Sequence, residues 1–396
     1  MIDAAALARH YTRFGVADRL LLTGHSHQAW PDVSREAVLA AWDDAARHVD
    51  EKWDAAFARA ERARGHLRVW LDDPGGEFAF GANTRELLAR LLSAVDLEAR
   101  PHVVTTDTEF HSAARQFDRL AETRTEVSVV PAQPVGTLAE RLAEACRPDT
   151  ALVYASTVLF KTSQRVPHLD RLLAGAREKG AEVLLDAYHH IGPVRFSVGG
   201  LGVEEAWITG GGYKYLQWGE GVCYLRLPAH SDEFRPVDTG WYATFGDLAG
   251  EQDSERVPYA DGAARWAGST YDPTSHYRAA AVGDFFAEQG LTPEALAENY
   301  RRQTGLLMDS FDALGLPDDV VTRDRSLTPD LVGGFLALES PVAERLRNGL
   351  ADRGVLTDSR GRWLRFGPAP YLTDDQLERA VAALGEVAAQ AIASHR

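Results

Sequence analysis

Two ionisable residues stand out by type and setting. Lys214 lies in Ile208-Thr209-Gly210-Gly211-Gly212-Tyr213-Lys214-Tyr215-Leu216, in a chain with only four lysines against 38 arginines. An arginine can carry positive charge, but it stays protonated and cannot serve as an imine-forming amine. A lysine kept after a glycine-rich turn therefore invites a chemical explanation. Upstream, Glu182-Val183-Leu184-Leu185-Asp186 reads as a buried strand that ends in a carboxylate, followed by Ala187-Tyr188-His189. Taken singly, a strand-ending Asp is as readily a helix cap or turn former, and a Gly-flanked Lys an ordinary surface residue.

Together they match what pyridoxal phosphate (PLP) asks of a protein: an amine to hold the aldehyde and an anion to keep the pyridine nitrogen protonated. Asp186 and Lys214 can supply both.

The elements around them set an α/β expectation. Arg35 to Trp70 carries Trp42, Val49, Trp53, Phe57 and Ala60 near helical spacing. Phe78–Gly81 reads as a short strand. Asn83-Thr84-Arg85-Glu86 then opens a helix with a capping-box pattern. Beyond it, strands near 102–105, 126–130, 150–154, 183–186, 206–209 and 222–225 alternate with helical stretches. That rhythm predicts a mainly parallel sheet covered by helices on both faces. After Pro236 the rhythm fades, and Gly250–Gly262 reads as polar and irregular. A helical block, Tyr277–Glu288 and Pro293–Leu314, leads into an α+β tail with strands at Gly333–Leu338 and Trp363–Phe366 and a closing helix at Thr373–Gln390. We therefore expect an N-terminal segment (1–45) packing on the small domain and the site entrance, a large cofactor domain (46–275) and a smaller α+β domain (276–396).

Bulk properties narrow the function classes. A net charge of −16 argues against nucleic-acid or anionic-membrane partners. Cys146 and Cys223, without CxxC spacing, give neither a disulfide framework nor a cysteine zinc site. No secretory signal and no run of about 18 apolar residues appears, so a soluble, cytoplasmic chain is expected. No metal is expected either: His25-x-His27 lacks an evident third ligand.

In order, the chain offers Gly81-Ala82-Asn83-Thr84, Glu109-Phe110-His111-Ser112, Asp186-Ala187-Tyr188-His189, Tyr213-Lys214, Gly240-Trp241, Gly268-Ser269-Thr270 and Leu364-Arg365-Phe366. This order resembles the fold-type I PLP enzymes of the class V aminotransferase group, and within it kynureninase most. The resemblance runs from about Leu20 to the C-terminal helix. It implies that Lys214 holds the cofactor and moves protons at Cα. Asp186 pairs with the pyridinium, His189 buttresses that carboxylate, and Phe110 stacks on the ring. Asn83 and Thr84 present N–H groups to the phosphate, Tyr213 donates to it, and Trp241 lies near it. Ser269 and Thr270 reach the neighbouring subunit's cofactor in a homodimer with shared active sites, and Arg365 clamps the substrate α-carboxylate. Each also has a plain structural alternative: a helix cap for Asn83 and Thr84, core for Phe110, an interface anchor for Trp241, a polar turn for Ser269-Thr270.

Tyr213 and Phe110 stand where desulfurases and many C–S lyases of the group carry His, which favours kynureninase-like hydrolytic Cβ–Cγ cleavage of an L-amino acid with release of alanine. The alternative is a β-eliminating C–S lyase, or a deaminase or aminotransferase, on a specialised amino acid. A homologue that binds PLP without turnover is disfavoured by the intact Lys214, Asp186 and Arg365. The chain departs from kynureninases at Gly24-His25-Ser26-His27-Gln28-Ala29-Trp30-Pro31, where they carry a Gly-Asn-Ser-Leu-Gly-type segment. It departs again at Tyr188, His190 and Gln217-Trp218. His25, Ser26 and His27 are thus expected to touch the substrate, as opposed to forming a polar loop.

Overall fold

The computed structural model describes residues 2–247 and 256–393. Its centre is a seven-stranded sheet. In chain order the strands are β1 (Leu20–Leu21), β2 (Glu77–Gly81), β3 (His102–Thr106), β4 (Glu126–Val130), β5 (Thr150–Ser156), β6 (Glu182–Asp186), β7 (Trp207–Gly211), β8 (Cys223–Leu227), β9 (Leu336–Glu339), β10 (Val355–Leu356), β11 (Asp358–Arg360) and β12 (Trp363–Phe366). The helices are α1 (Ala4–Ala8), α2 (Val33–His48), α3 (Lys52–Trp70), α4 (Thr84–Leu92), α5 (His111–Ala121), α6 (Leu138–Glu144), α7 (Leu169–Glu178), α8 (Thr274–Glu288), α9 (Pro293–Ala313), α10 (Ala343–Ala351) and α11 (Asp374–Ala393).

The large sheet runs β2-β8-β7-β6-β5-β3-β4, and only β8 is antiparallel to its neighbours. Strands β3, β5, β6, β7 and β8 are almost wholly buried, as unbroken apolar runs with helices on both faces should be. From β3 the chain steps outward to β4 and then returns past β3 to β5. The strand order reverses there, and ligands of open α/β sheets settle at such points, beyond the carboxyl ends of the strands. Phe110 follows β3, Ser156 ends β5 and Asp186 ends β6.

A second sheet, β11-β12-β9, is antiparallel, and the N-terminal β1 pairs in parallel with β10. The segment after β1 continues this junction: Gly24 N donates to Gly367 O at 2.9 Å and Gly367 N to Leu22 O at 2.8 Å.

Some expectations need correction. The stretch from Arg35 to Trp70 is two helices, broken at Val49, whose φ of 51° lies in the left-handed region. Trp42 and Val49 do not face the core; they are 70% and 66% exposed. The face that packs is made of small residues, Ala37 and Ala56 with Tyr277 of α8. The strand expected from Gly333 begins at Leu336, because Gly333 sits hard against Val158 and Gly334 adopts φ 83°. Of the stretch expected to be irregular, residues 250–255 lie outside the described residues. Among the described residues no helix is long and apolar enough to cross a membrane, and no three His, Cys, Asp or Glu side chains are grouped to hold a metal.

Candidate active site

Asp186 ends β6 with its side chain 7% exposed. One carboxylate oxygen accepts from Tyr188 N at 2.9 Å and the other from the Tyr154 hydroxyl at 2.8 Å. Burial pushes its carboxyl above the usual range, against the pull of these hydrogen bonds and of Lys214.

The glycines after Thr209 are there for close approach. A Cβ on Gly210, Gly211 or Gly212 would collide with Tyr224, Tyr188 or Trp218 respectively. The turn they permit lays Lys214 under the surface, 6% exposed, with Nζ 2.9 Å from His189 Nε2 and 4.2 Å from the centre of the Tyr188 ring. Phe110 lies 5.4 Å from the same ammonium. Burial lowers the Lys214 amine to about 8, with Asp186 pulling it back up and Arg365 pushing it further down.

The role expected of His189 is thereby corrected. It faces Lys214, and Asp186 is buttressed by Tyr154 instead. Burial and the neighbouring Lys214 and Arg365 hold the His189 ring well below its usual pKa, so it is neutral, and its buried Nδ1 has no hydrogen-bond partner.

Lys214, Asp186, His189, Tyr213, Phe110, Asn83 and Thr84 all line one cavity of about 280 Å³. Asn83 is the N-cap of α4: its side chain accepts from Glu86 N at 3.0 Å while Glu86 accepts from Ala82 N at 2.9 Å. The cap alternative is therefore realised, and the same geometry sets the positive end of α4 in the cavity wall. Tyr213 stacks on His27 and meets Tyr188 at a tilt of 52°, with ring centres 5.0 Å apart in each case. Burial raises its phenol to about 12.

Trp241, Ser269 and Thr270 lie outside this cavity. The Trp241 indole donates to Thr270 Oγ1 at 3.2 Å, and Ser269 and Thr270 line a neighbouring cavity of about 1030 Å³. The two cavities have Ala82, Glu220 and Gly221 in common.

The His25–His27 segment divides. His27 is at the surface, its Nε2 3.7 Å from Glu220. Ser26 turns back on the Thr23 carbonyl at 3.1 Å. His25 is fully buried and bonds to Asp358 at 2.9 Å. Arg365, 2% exposed, meets the same Asp358 carboxylate with Nε at 2.8 Å and Nη2 at 2.5 Å, and its Nη1 donates to the Phe160 carbonyl.

Three further residues were not anticipated. Tyr154 holds Asp186, and Asp358 holds Arg365. Glu109 is 5% exposed and accepts from Thr106 Oγ1 (2.7 Å), Ser156 N (3.1 Å) and Ser156 Oγ (2.5 Å). Burial pushes its carboxyl up to about 7 against those hydrogen bonds, and the Asp186 charge adds to the rise. Its only sequence signal was an acidic residue three positions after a strand and just before Phe110.

The residues present fit PLP. Asp186 has a fixed, buried carboxylate with lone pairs to spare. Lys214 is a buried amine in the same cavity, Phe110 forms a wall, and a helix N-terminus suits a phosphate. Comparisons with known proteins agree. Residues 44–239 match the aminotransferase class V family. No curated protein sequence matches. Among solved structures, the chain resembles C-DES with glycine covalently linked to its PLP cofactor (TM-score 0.82, 18% identity, 96% of this chain and 99% of that one). It resembles the cystine C–S lyase C-DES with its product cysteine persulfide (TM-score 0.81, 18% identity, 94% and 98%). The apo cysteine desulfurase of Thermococcus onnurineus NA1 is similar too (TM-score 0.80, 16% identity, 98% and 99%). The chain thus has the fold of the fold-type I PLP enzymes, its cavity residues fit PLP, and residues 44–239 match the class V aminotransferase family.

Proposed function

We propose that this protein is a PLP-dependent lyase that breaks the bond from Cβ to a sulfur or similar leaving group in an L-amino acid. The observation that carries the reading is the Lys214 amine: buried, set against neutral His189, lowered to about 8, and in one small cavity with Asp186. An amine so placed is partly unprotonated near neutral pH, which is what a base at Cα needs.

When bound, PLP supplies a conjugated ring that takes up the electron pair left at the substrate Cα. Lys214 would hold the cofactor aldehyde, and its amine is the group placed to take up the Cα proton. Asp186 keeps a proton on the pyridine nitrogen. The N–H groups at the start of α4 bind the phosphate, and Phe110 holds the ring plane. Tyr213, whose phenol stays protonated to about 12, can donate to the phosphate or to a departing group. Arg365 binds the α-carboxylate through the N–H groups left on its two terminal nitrogens. Loss of the Cβ substituent with its electron pair, and hydrolysis of what remains, gives pyruvate, ammonia and the protonated leaving group.

Two points support lyase over the alternatives. The structural neighbours include a cystine C–S lyase. Desulfurases that work through a persulfide-bearing thiol need a reactive cysteine, whereas Cys223 is buried and pushed up to about 12, and Cys146 to about 11. Kynureninase-like Cβ–Cγ hydrolysis is the second reading, favoured by Phe110 and Tyr213 at the positions where desulfurases carry His. We also propose a homodimer, cytoplasmic, in which Ser269 and Thr270 reach the partner's cofactor. Mixing Lys214→Ala and Thr270→Ala protomers should then restore activity. Failure to do so in verified heterodimers would place that segment outside the site.

The deciding experiment offers the holoenzyme L-cystine, S-methyl-L-cysteine, L-kynurenine and 3-hydroxykynurenine. Pyruvate from the sulfur compounds supports the lyase. Anthranilate and alanine would instead establish the hydrolase, and pyruvate from none of them would exclude sulfur elimination.

A further inference from the structure

We propose that Asp358 and the buried His25 form a positioning unit that fixes the Arg365 guanidinium for the substrate α-carboxylate. The proposal rests on the reading of Arg365 as the carboxylate site.

Asp358 and Arg365 face each other as register partners in the β11–β12 pair. Their contact is two-pronged, Nε to Oδ1 at 2.8 Å and Nη2 to Oδ2 at 2.5 Å. The Phe160 carbonyl takes a third N–H, and the Phe160 and Phe335 rings lie 5.9 Å and 5.7 Å from the guanidinium carbon. One N–H therefore remains on each terminal nitrogen, matching the two oxygens of a carboxylate. His25 clamps the far side of the unit. Its Nε2 is 2.9 Å from Asp358 Oδ1, and its ring stacks on Phe335 at 4.7 Å. The His25 position is itself wedged: a Cβ at Gly24 would collide with the Pro368 carbonyl, and one at Gly367 with the His25 ring.

The arrangement has a cost. A fixed anion two-pronged on Arg365 weakens the attraction of that arginine for a second anion. What it secures is orientation, since a free arginine gives up much of its rotamer freedom when it binds. These two effects make opposite forecasts when the Asp358 charge is removed, so the experiment has a sign. Burial, reinforced by the Arg365 charge, keeps His25 neutral down to about 4, so the clamp is a neutral donor at working pH.

The test uses the holoenzyme and two small probes, L-alanine and ethylamine, which share an amine but differ by the carboxylate. Binding is read as the change in the cofactor's visible absorption. Asp358→Asn should weaken L-alanine by roughly tenfold or more, as loss of a charged hydrogen-bonding partner does, and leave ethylamine unchanged. His25→Gln should weaken L-alanine by a smaller factor, about threefold, without altering the order of preference among L-amino acids. That variant keeps the β11–β12 ion pair and decides the matter if Asp358→Asn does not fold. Equal or tighter L-alanine binding in the foldable variants would make Asp358 a counter-charge and overturn the proposal. So would equal losses for both probes, which would show general distortion. Arg365→Lys serves as the control: if it leaves L-alanine binding unchanged, the carboxylate reading itself fails, independently of how the Asp358 and His25 variants behave.

Discussion

Two groups of ionisable residues, one wholly and one partly buried, lie close together in this molecule and are satisfied in opposite ways. At the β11–β12 junction, the Asp358 carboxylate meets Arg365 at hydrogen-bond distance, with Arg360 3.4 Å away. In and just behind the Lys214 cavity the hydrogen-bond partners are neutral: Tyr154 and a backbone N–H for Asp186, Ser156 and Thr106 for Glu109, His189 for Lys214. The pKa directions follow. Burial alone pushes a carboxyl up, but hydrogen bonds from His25 and Arg365, with the Arg365 charge, hold Asp358 well below the carboxylate range. Without comparable pairing, burial wins at Asp186 and Glu109, which rise, and at Lys214, which falls. Paired charges stay put and fix geometry. Groups on neutral partners drift toward neutrality, Lys214 and Glu109 far enough to exchange protons near physiological pH.

The largest effect should come from the amine. Lys214→Ala should lower turnover by at least about four orders of magnitude, since attachment and proton transfer go together. Borohydride reduction of the wild type should place the pyridoxyl group on Lys214, and a peptide map that finds it on Lys161 would sink the assignment. Asp186→Asn comes next, with a loss of about three orders of magnitude as the ring loses its anionic partner. It also sharpens the comparison. Asp186 raises the Lys214 pKa, so without its charge the midpoint for reductive methylation of Lys214 in the cofactor-free protein should fall below about 8. An unchanged midpoint would mean that burial alone sets this amine.

The cavity was more legible in the sequence than the junction was. Strands β6 and β7 announce themselves as apolar runs, and the residues at their ends carry the chemistry. The Asn83–Glu86 cap is a contact between near neighbours, so its residue types suffice to show it. Tyr154 was missed because its contact with Asp186 needs the parallel pairing of β5 with β6, which places Ser156 beside Asp186. Asp358 was missed because nothing local marks it. Its partners are set by the register of a hairpin and by a segment 333 residues away in sequence. His25 was expected to touch substrate, and long-range packing instead buried it on Asp358. Trp42 shows the reverse error, where apolar type suggested core and the helix turned it outward.

Glu109 offers a test with an effect of intermediate size. Its folded-state pKa is about 7 against an ordinary 4.5. Between those values the folded state holds a proton that the unfolded state has released, so this group lowers stability as pH rises through that window. Glu109→Gln keeps the acceptor and removes the titration. Relative to wild type, the variant should gain on the order of 3 kcal/mol between pH 4.5 and pH 7.5. Denaturant unfolding at several pH values measures this. Parallel curves for the two proteins would mean that Glu109 titrates normally and that its hydrogen bonds offset its burial.

The smallest effect belongs to His27, the only histidine of the 25–27 pair at the surface. Its ring stacks on Tyr213 at 5.0 Å and 23° and sits 3.7 Å from Glu220, which also lines the cavity. Both partners are more than half exposed, so the ion pair adds little. Aromatic stacking is worth about 0.5–1.5 kcal/mol, and His27→Ala should raise KM by roughly twofold to tenfold with kcat nearly unchanged. The direction of its selectivity is the informative part. Because His27 covers Tyr213 beside Glu220, its loss should alter the ranking among L-amino acids with different side chains. His25→Gln, acting through Asp358, should weaken all of them alike. If both variants shift the ranking, the two histidines act on the same part of the substrate, and the division between a paired junction and an exchangeable cavity does not hold at the N-terminal segment.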